Sequence, residues 1–212
     1  MTISRSLLSF VFLFGIFTAC KEDDPAPVTL TATTFSNLQA DPPSGGYNPA
    51  NGQPIGVTKK YTFFSFSTGA IVVNADSATS KWDIGFNGTT IIVNSGTSGP
   101  GSGAAFVQSG VFDEIMVAPE SGYLTDNKNS TSAPLAIPKG SGNGWYNYAP
   151  ATNVISPIAG RVIMVKTSDG KYAKMEILSY YKDAPATPGP TSVDRYYTFR
   201  YNYQSNGTTQ LK

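Results

Sequence analysis

The sequence contains no histidine. That absence removes the side chain most used as a general base and the commonest transition-metal ligand. Ser-His-Asp and Cys-His catalysis and histidine-zinc centres are excluded outright. A single cysteine, Cys20, rules out an intrachain disulfide. Charge is scarce too: Asp, Glu, Lys and Arg make up 14% of residues and the formal net charge is +1. Nucleic-acid binding would call for a clustered basic face, and this balance gives no case for one. Beyond the N-terminal apolar run, no long stretch has helical periodicity, which favours strands over helices.

Glycine (21), proline (15), tyrosine (12) and phenylalanine (12) are plentiful among the 212 residues. That composition favours strands punctuated by turns, and the length suits one all-β domain plus an export segment. The strongest local signal runs from Arg161 to Tyr181. Arg161 to Lys166 is an apolar, β-branched run, and Thr167-Ser168-Asp169-Gly170 breaks it. Lys171 to Ile177 then alternates, with Ala173, Met175 and Ile177 on one face and Tyr172, Lys174 and Glu176 on the other. Two β-type runs joined through Asp-Gly predict a hairpin. Its first strand is apolar on both faces and should lie mid-sheet.

Further strands are expected at 28–34, 61–66, 70–74, 89–94, 104–107 and 196–203. Lys81 to Phe86 should form another, with Trp82, Ile84 and Phe86 on one face and Asn87-Gly88 turning into the next strand. Ser95 to Gly103 is a Gly/Ser loop; its spacing is neither G-x-G-x-x-G nor a P-loop, so it reads as a flexible connection. Asp113-Glu114 has no third ligand at a sensible spacing and reads as a solvated turn. Tyr123 to Ser141 is polar, turn-rich and expected to be mobile. Gly144-Trp145-Tyr146-Asn147-Tyr148 is an aromatic cluster opened by glycine.

Arg5, the apolar run Leu7 to Phe17 and the small residues before Cys20 form an export signal. The run is shorter than the ~20 residues a membrane span needs. Phe17-Thr18-Ala19-Cys20 resembles the lipobox of bacterial lipoproteins, with Phe in place of the usual Leu. In that class the cysteine becomes the lipid-bearing N-terminus. Lys21-Glu22-Asp23-Asp24 is similar to the surface-export signal of Bacteroidota lipoproteins. The expected organisation is a signal peptide over 1–19, a lipidated tether over 20–28 and a binding domain over 29–212. This implies outer-membrane anchoring through Cys20 and display at the cell surface.

Six segments follow in order along the chain: Phe64-Ser65-Phe66-Ser67-Thr68-Gly69, Lys81-Trp82-Asp83-Ile84, the loop Ser98 to Phe106, Gly144-Trp145, Asp169 to Lys174, and Tyr197 to Tyr201. Together they resemble the HmuY family of haem-binding lipoproteins over about Tyr61 to Tyr203. The resemblance implies a sandwich-like all-β fold and capture of haem for an outer-membrane receptor of the TonB-dependent kind. The best-known member holds haem iron with two histidines, which this chain lacks. Its second histidine corresponds roughly to Tyr148 to Asn153, where Pro150 or Asn153 stands. Some relatives are described as using methionine, an accepted haem ligand. Of Met116, Met164 and Met175, the last two read as core packing, so Met116 is the candidate for iron. Tyr146 and Tyr148 are alternatives, because a phenolate can ligate ferric haem. Trp145, Tyr146 and Tyr148 would wall an apolar cleft. The competing expectation is a module of the same fold for another ligand, such as a glycan stacked on aromatics. An enzyme is not expected, since no convincing carboxylate pair is visible.

Overall fold

The computed structural model of the protein describes residues 30–50, 52–132 and 134–212. The leader, Cys20 and the tether lie outside the described residues. Eleven strands are described: β1 (Thr33–Gln39), β2 (Thr62–Ser65), β3 (Ala70–Val72), β4 (Ile84–Asn87), β5 (Thr90–Val93), β6 (Ala104–Ser109), β7 (Tyr146–Ala149), β8 (Val154–Pro157), β9 (Arg161–Lys166), β10 (Tyr172–Tyr181) and β11 (Asp194–Gln204). They form a five-stranded sheet ordered β1-β11-β10-β9-β6, a four-stranded sheet ordered β3-β2-β4-β5, and the hairpin β7-β8. All the pairings are antiparallel. No helix among the described residues is long and apolar enough to cross a membrane.

The two larger sheets face each other across one core, which makes the fold an all-β sandwich. Its inner layer takes Phe64, Ile84, Phe86, Ile91 and Val93 from the smaller sheet. The larger sheet supplies Ile163, Val165, Ala173, Met175, Ile177, Tyr197 and Phe199. The strict alternation of these positions along their strands is what a period of two demands. Phe64 packs edge-on against Phe35, Phe199 and Tyr201 at 5.1–5.7 Å between centroids, an arrangement that ring quadrupoles favour.

The β9-β10 hairpin forms as its sequence predicts. The Thr167 N–H donates to the Lys171 carbonyl at 2.8 Å, and Gly170 takes φ 84°. β9 lies between β10 and β6, and its second apolar face is covered. Val162 and Met164 pack with Phe112, Ile115, Ala118 and Leu211 on the outer side of the sheet. Met164 and Met175 are both fully buried core residues.

Three strand expectations need correction. Of the strand expected over 28–34, residues 28 and 29 lie outside the described residues; among the rest the ladder takes Thr33 and Thr34 and runs on to Gln39. The ladder in the Lys81 region begins only at Ile84, and Trp82 joins Phe63, Ile92 and Leu135 on the other side of the sheet from Ile84 and Phe86. The cause is local. The Asp83 carboxylate accepts the N–H groups of Phe66 and Ser168 at 2.8 and 2.9 Å, and Trp82 Nε1 donates to the Ser77 carbonyl at 2.9 Å. These bonds fix a bend where simple alternation would continue a strand. Finally, the hairpin β7-β8 was not anticipated; each strand is four residues long, and β8 ends in Pro157.

Candidate functional site

β5 and β6 are edge strands of the facing sheets, and unpaired sheet edges have to be covered. The polar segment following Tyr123 covers them. Leu124 exchanges both backbone hydrogen bonds with Ala105 of β6 at 2.9 and 3.0 Å. Asp126 is only 1% exposed. Its carboxylate accepts the Val93 N–H of β5 at 3.0 Å and the Ala136 N–H at 2.9 Å. Its own carbonyl accepts the Thr97 N–H at 3.0 Å. Ala136 and Ile137 are buried in the inner core, and Leu135 packs in the outer cluster of Trp82. The segment is irregular, as expected, but it is riveted to both sheets.

The far end of this segment is tied to β7. Gly142 N–H donates to the Tyr146 carbonyl at 2.9 Å, and Tyr148 N–H donates to Ser141 Oγ at 2.8 Å. Outside the segment lies a cleft of about 640 Å³. Leu124, Pro134, Leu135 and Pro138 line its apolar part, with Ser132, Lys139 and Asn143 as polar groups. Its volume is in the range of small-molecule sites, and its mostly apolar lining with few polar groups is their usual chemistry.

The five residues singled out from sequence fall into three places. Trp145 and Tyr146 are buried together, their rings 4.8 Å apart. Trp145 is 2% exposed, packs against Tyr180 and Tyr197, and donates from Nε1 to the Thr89 carbonyl at 3.1 Å. These two rings are therefore core rather than cleft wall, because the facing sheets enclose them. Tyr148 is 41% exposed further along the same hairpin. Its hydroxyl donates to Asn153 Oδ1 at 2.6 Å, and Asn153 holds φ 54°. Met116 is 48% exposed and follows a short 3₁₀ turn, Phe112–Glu114, on the outer face of the larger sheet. The structure thus joins Trp145 to Tyr146 and Tyr148 to Asn153, and sets Met116 apart from Trp145. None of the five is a lining residue of the 640 Å³ cleft.

The segment bearing Met116 is held by an unusual support. Lys174 is 2% exposed on β10. Its Nζ donates to the Phe112 and Ile115 carbonyls, both at 2.7 Å, and sits 4.4 Å from the Phe112 ring centroid. Arg200 lies against the same ring at 4.4 Å and pairs with Glu176 at 2.8 Å and Asp113 at 3.2 Å. Burial lowers the Lys174 pKa below the ordinary lysine value, and the nearby Asp113 charge opposes that shift.

Sequence reasoning missed Asp126, Lys139 and the apolar lining. One signal was present: Pro134-Leu135-Ala136-Ile137-Pro138 is a proline-framed apolar run inside an otherwise polar loop. Such a run has to bury itself somewhere.

No curated protein matches the sequence. Among solved structures, the apo HmuY analogue of Tannerella forsythia is 17% identical, with a TM-score of 0.42, over 83% of this chain and 96% of its own. Apo PinO from Porphyromonas gingivitis is 14% identical, with a TM-score of 0.49, over 84% of this chain and 98% of its own. A Bacteroides vulgatus protein provisionally described as an HmuY-like heme-binding protein is 18% identical, with a TM-score of 0.47, over 80% and 90%. The family described as HmuY protein matches residues 57–201, well over half of the sequence. The chain belongs to the HmuY family.

Proposed function

We propose that the protein is a lipid-anchored binding protein that captures haem in the cleft along 124–143. The observation that carries this reading is the cleft itself, an apolar trough with Lys139 as the cation among its described lining residues. A porphyrin has a flat apolar body and carboxylates on one edge, which matches that division of surface. Ser132 and Asn143 add neutral hydrogen-bonding groups. For the iron, Tyr148 is the exposed candidate next to the cleft segment, whereas Met116, also exposed, lies on the outer face of the larger sheet and away from the cleft lining. Tyr148 lies on the hairpin to which the cleft segment is bonded, with Asn153 as its hydrogen-bond partner. Trp145 and Tyr146 support that hairpin from the core. The protein holds its ligand rather than transforming it. Lipidation at Cys20 places it on the outer membrane at the cell surface, from which haem passes to a TonB-dependent receptor.

A hemin titration read by visible spectroscopy tests this. One equivalent should shift the Soret band and sharpen the Q-bands. Lys139→Gln should weaken binding by up to about fivefold, the scale of one exposed charge pair. Tyr148→Phe should abolish the ferric signature, and Met116→Ala should leave the spectrum as in wild type. An altered reduced-state spectrum in Met116→Ala would return the iron to Met116 and take haem out of this cleft. A free-hemin spectrum that stays unshifted in both oxidation states rejects haem as the ligand.

A further inference from the structure

The outer face of the four-stranded sheet carries a second hollow, of about 520 Å³. Its floor follows from the register, in which Phe63 of β2 pairs with Gly85 of β4, and Gly85 with Ile92 of β5. A Cβ at Gly85 would lie 3.0 Å from the Phe63 ring and 3.1 Å from Ile92. With no side chain there, Phe63 and Ile92 close over β4 and join Trp82 and Leu135 in one apolar layer. Tyr61 lies beside Phe63 in near-parallel stacking, 6.4 Å between centroids and 26° between planes. Thus an aromatic platform sits above a packed floor.

The rim is the Gly/Ser loop after β5, together with Ser77 and Lys128. This loop is tightly built, contrary to its reading as a flexible connection. A Cβ at Gly99 would stand 2.2 Å from Asn94 Oδ1 and 2.6 Å from the Trp82 ring, so only glycine fits. Three successive backbone donors are already used. Ser98 and Gly99 N–H donate to the Ser95 carbonyl at 3.0 and 3.3 Å, and Thr97 N–H donates to Asp126. The loop therefore offers no nest of free amides for a phosphate. What it does offer is Ser98 Oγ, buried and without a hydrogen-bond partner. Lys128 stands at the same rim and makes no ion pair among the described residues. Burial, followed by the Asp126 charge, raises the Tyr61 pKa.

We propose that this hollow is a saccharide subsite that takes a carboxylated pyranose of the uronic-acid type, separate from the haem cleft. The C–H face of the sugar lies on the electron-rich face of Tyr61. A ring hydroxyl satisfies Ser98 Oγ once the serine side chain rotates toward the hollow, and the carboxylate meets Lys128. The site stands on its own observations and does not depend on haem being the ligand of the first cleft. Surface glycans are chemically suited to it, being polar and exposed.

The test is an amide-resolved NMR titration of the full chain with glucuronic acid, with glucose as the neutral control. Both sugars should shift the amides of residues 96–99, and glucuronate should bind several-fold tighter. Tyr61→Ala should weaken both by roughly tenfold, the scale of one ring contact. Ser98→Ala should weaken both more mildly. Lys128→Gln, a change at the rim that leaves the floor intact, should erase only the preference for the acid. Hemin added to the sugar-loaded protein should leave these shifts in place. Sugar binding without hemin binding would reject the haem assignment and uphold this one. The proposal is overturned by an unperturbed spectrum at tens of millimolar of either sugar. It is equally overturned by shifts that survive Tyr61→Ala, or by displacement of the sugar by hemin.

Discussion

Asp126→Ala should cost about 2–6 kcal/mol of stability and abolish binding in the cleft, since it orphans two buried backbone donors at ~1–3 kcal/mol each. Those donors are the N–H groups of Val93 and Ala136. Asp126 is enclosed, so water does not replace its oxygens without opening the wall. Losing the Ala136 bond also frees the apolar run Leu135-Ala136-Ile137 from its anchor on β5. Two consequences of one substitution are thereby linked: a lower midpoint in denaturant and loss of the ligand. Asp126→Asn should fall between wild type and alanine, because an amide keeps one acceptor oxygen and points donors at the other N–H. Urea melts of the three proteins measure the series. Wild-type stability in Asp126→Ala would show that the segment is not held as described.

Trp145→Ala should be the most destabilising of the aromatic substitutions near the hairpin, at about 3–5 kcal/mol. The indole fills the space between Tyr146, Tyr180 and Tyr197, at centroid distances of 4.8–5.7 Å. It also satisfies the Thr89 carbonyl. Trp145→Phe retains the ring packing, loses one hydrogen bond and should recover most of that loss. The pair separates the two roles an aromatic can have here. If Trp145 is core, the phenylalanine variant binds hemin as wild type does. A phenylalanine variant that keeps its stability but loses hemin would return the indole to the ligand wall.

Much of the fold was legible because its signals are local. The β-branched run of β9, the Asp-Gly break and the alternation of Ala173, Met175 and Ile177 specify a hairpin without help from distant residues. Burial of Met164 and Met175 followed from the same pattern. The misreadings occurred where long-range polar bonds override alternation. Asp83 reaches Ser168 across 85 residues of sequence and turns Trp82 to the other side of its sheet. The candidate site was less legible for the same reason. Asp126 sits in a stretch whose composition signals only turns, and its importance lies in partners 33 and 10 residues away. Trp145 and Tyr146 looked like a ligand wall because glycine and aromatic residues cluster there; which side of the hairpin is enclosed depends on β10 and β11. Lys139 gives no sign in sequence, since a lone lysine in a loop is ordinary.

The central claim is that the trough along 124–143 is where this protein holds a flat, apolar, acid-bearing ligand. Ser132→Trp fills that trough from an exposed lining position and leaves the Asp126 hydrogen bonds in place. A hemin titration of Ser132→Trp beside wild type is the most direct measurement. Wild type should saturate at one equivalent with a shifted Soret band, and the variant should show the spectrum of free hemin while melting at the wild-type temperature. Equal hemin binding by the two proteins would contradict the account and place the ligand elsewhere on the molecule.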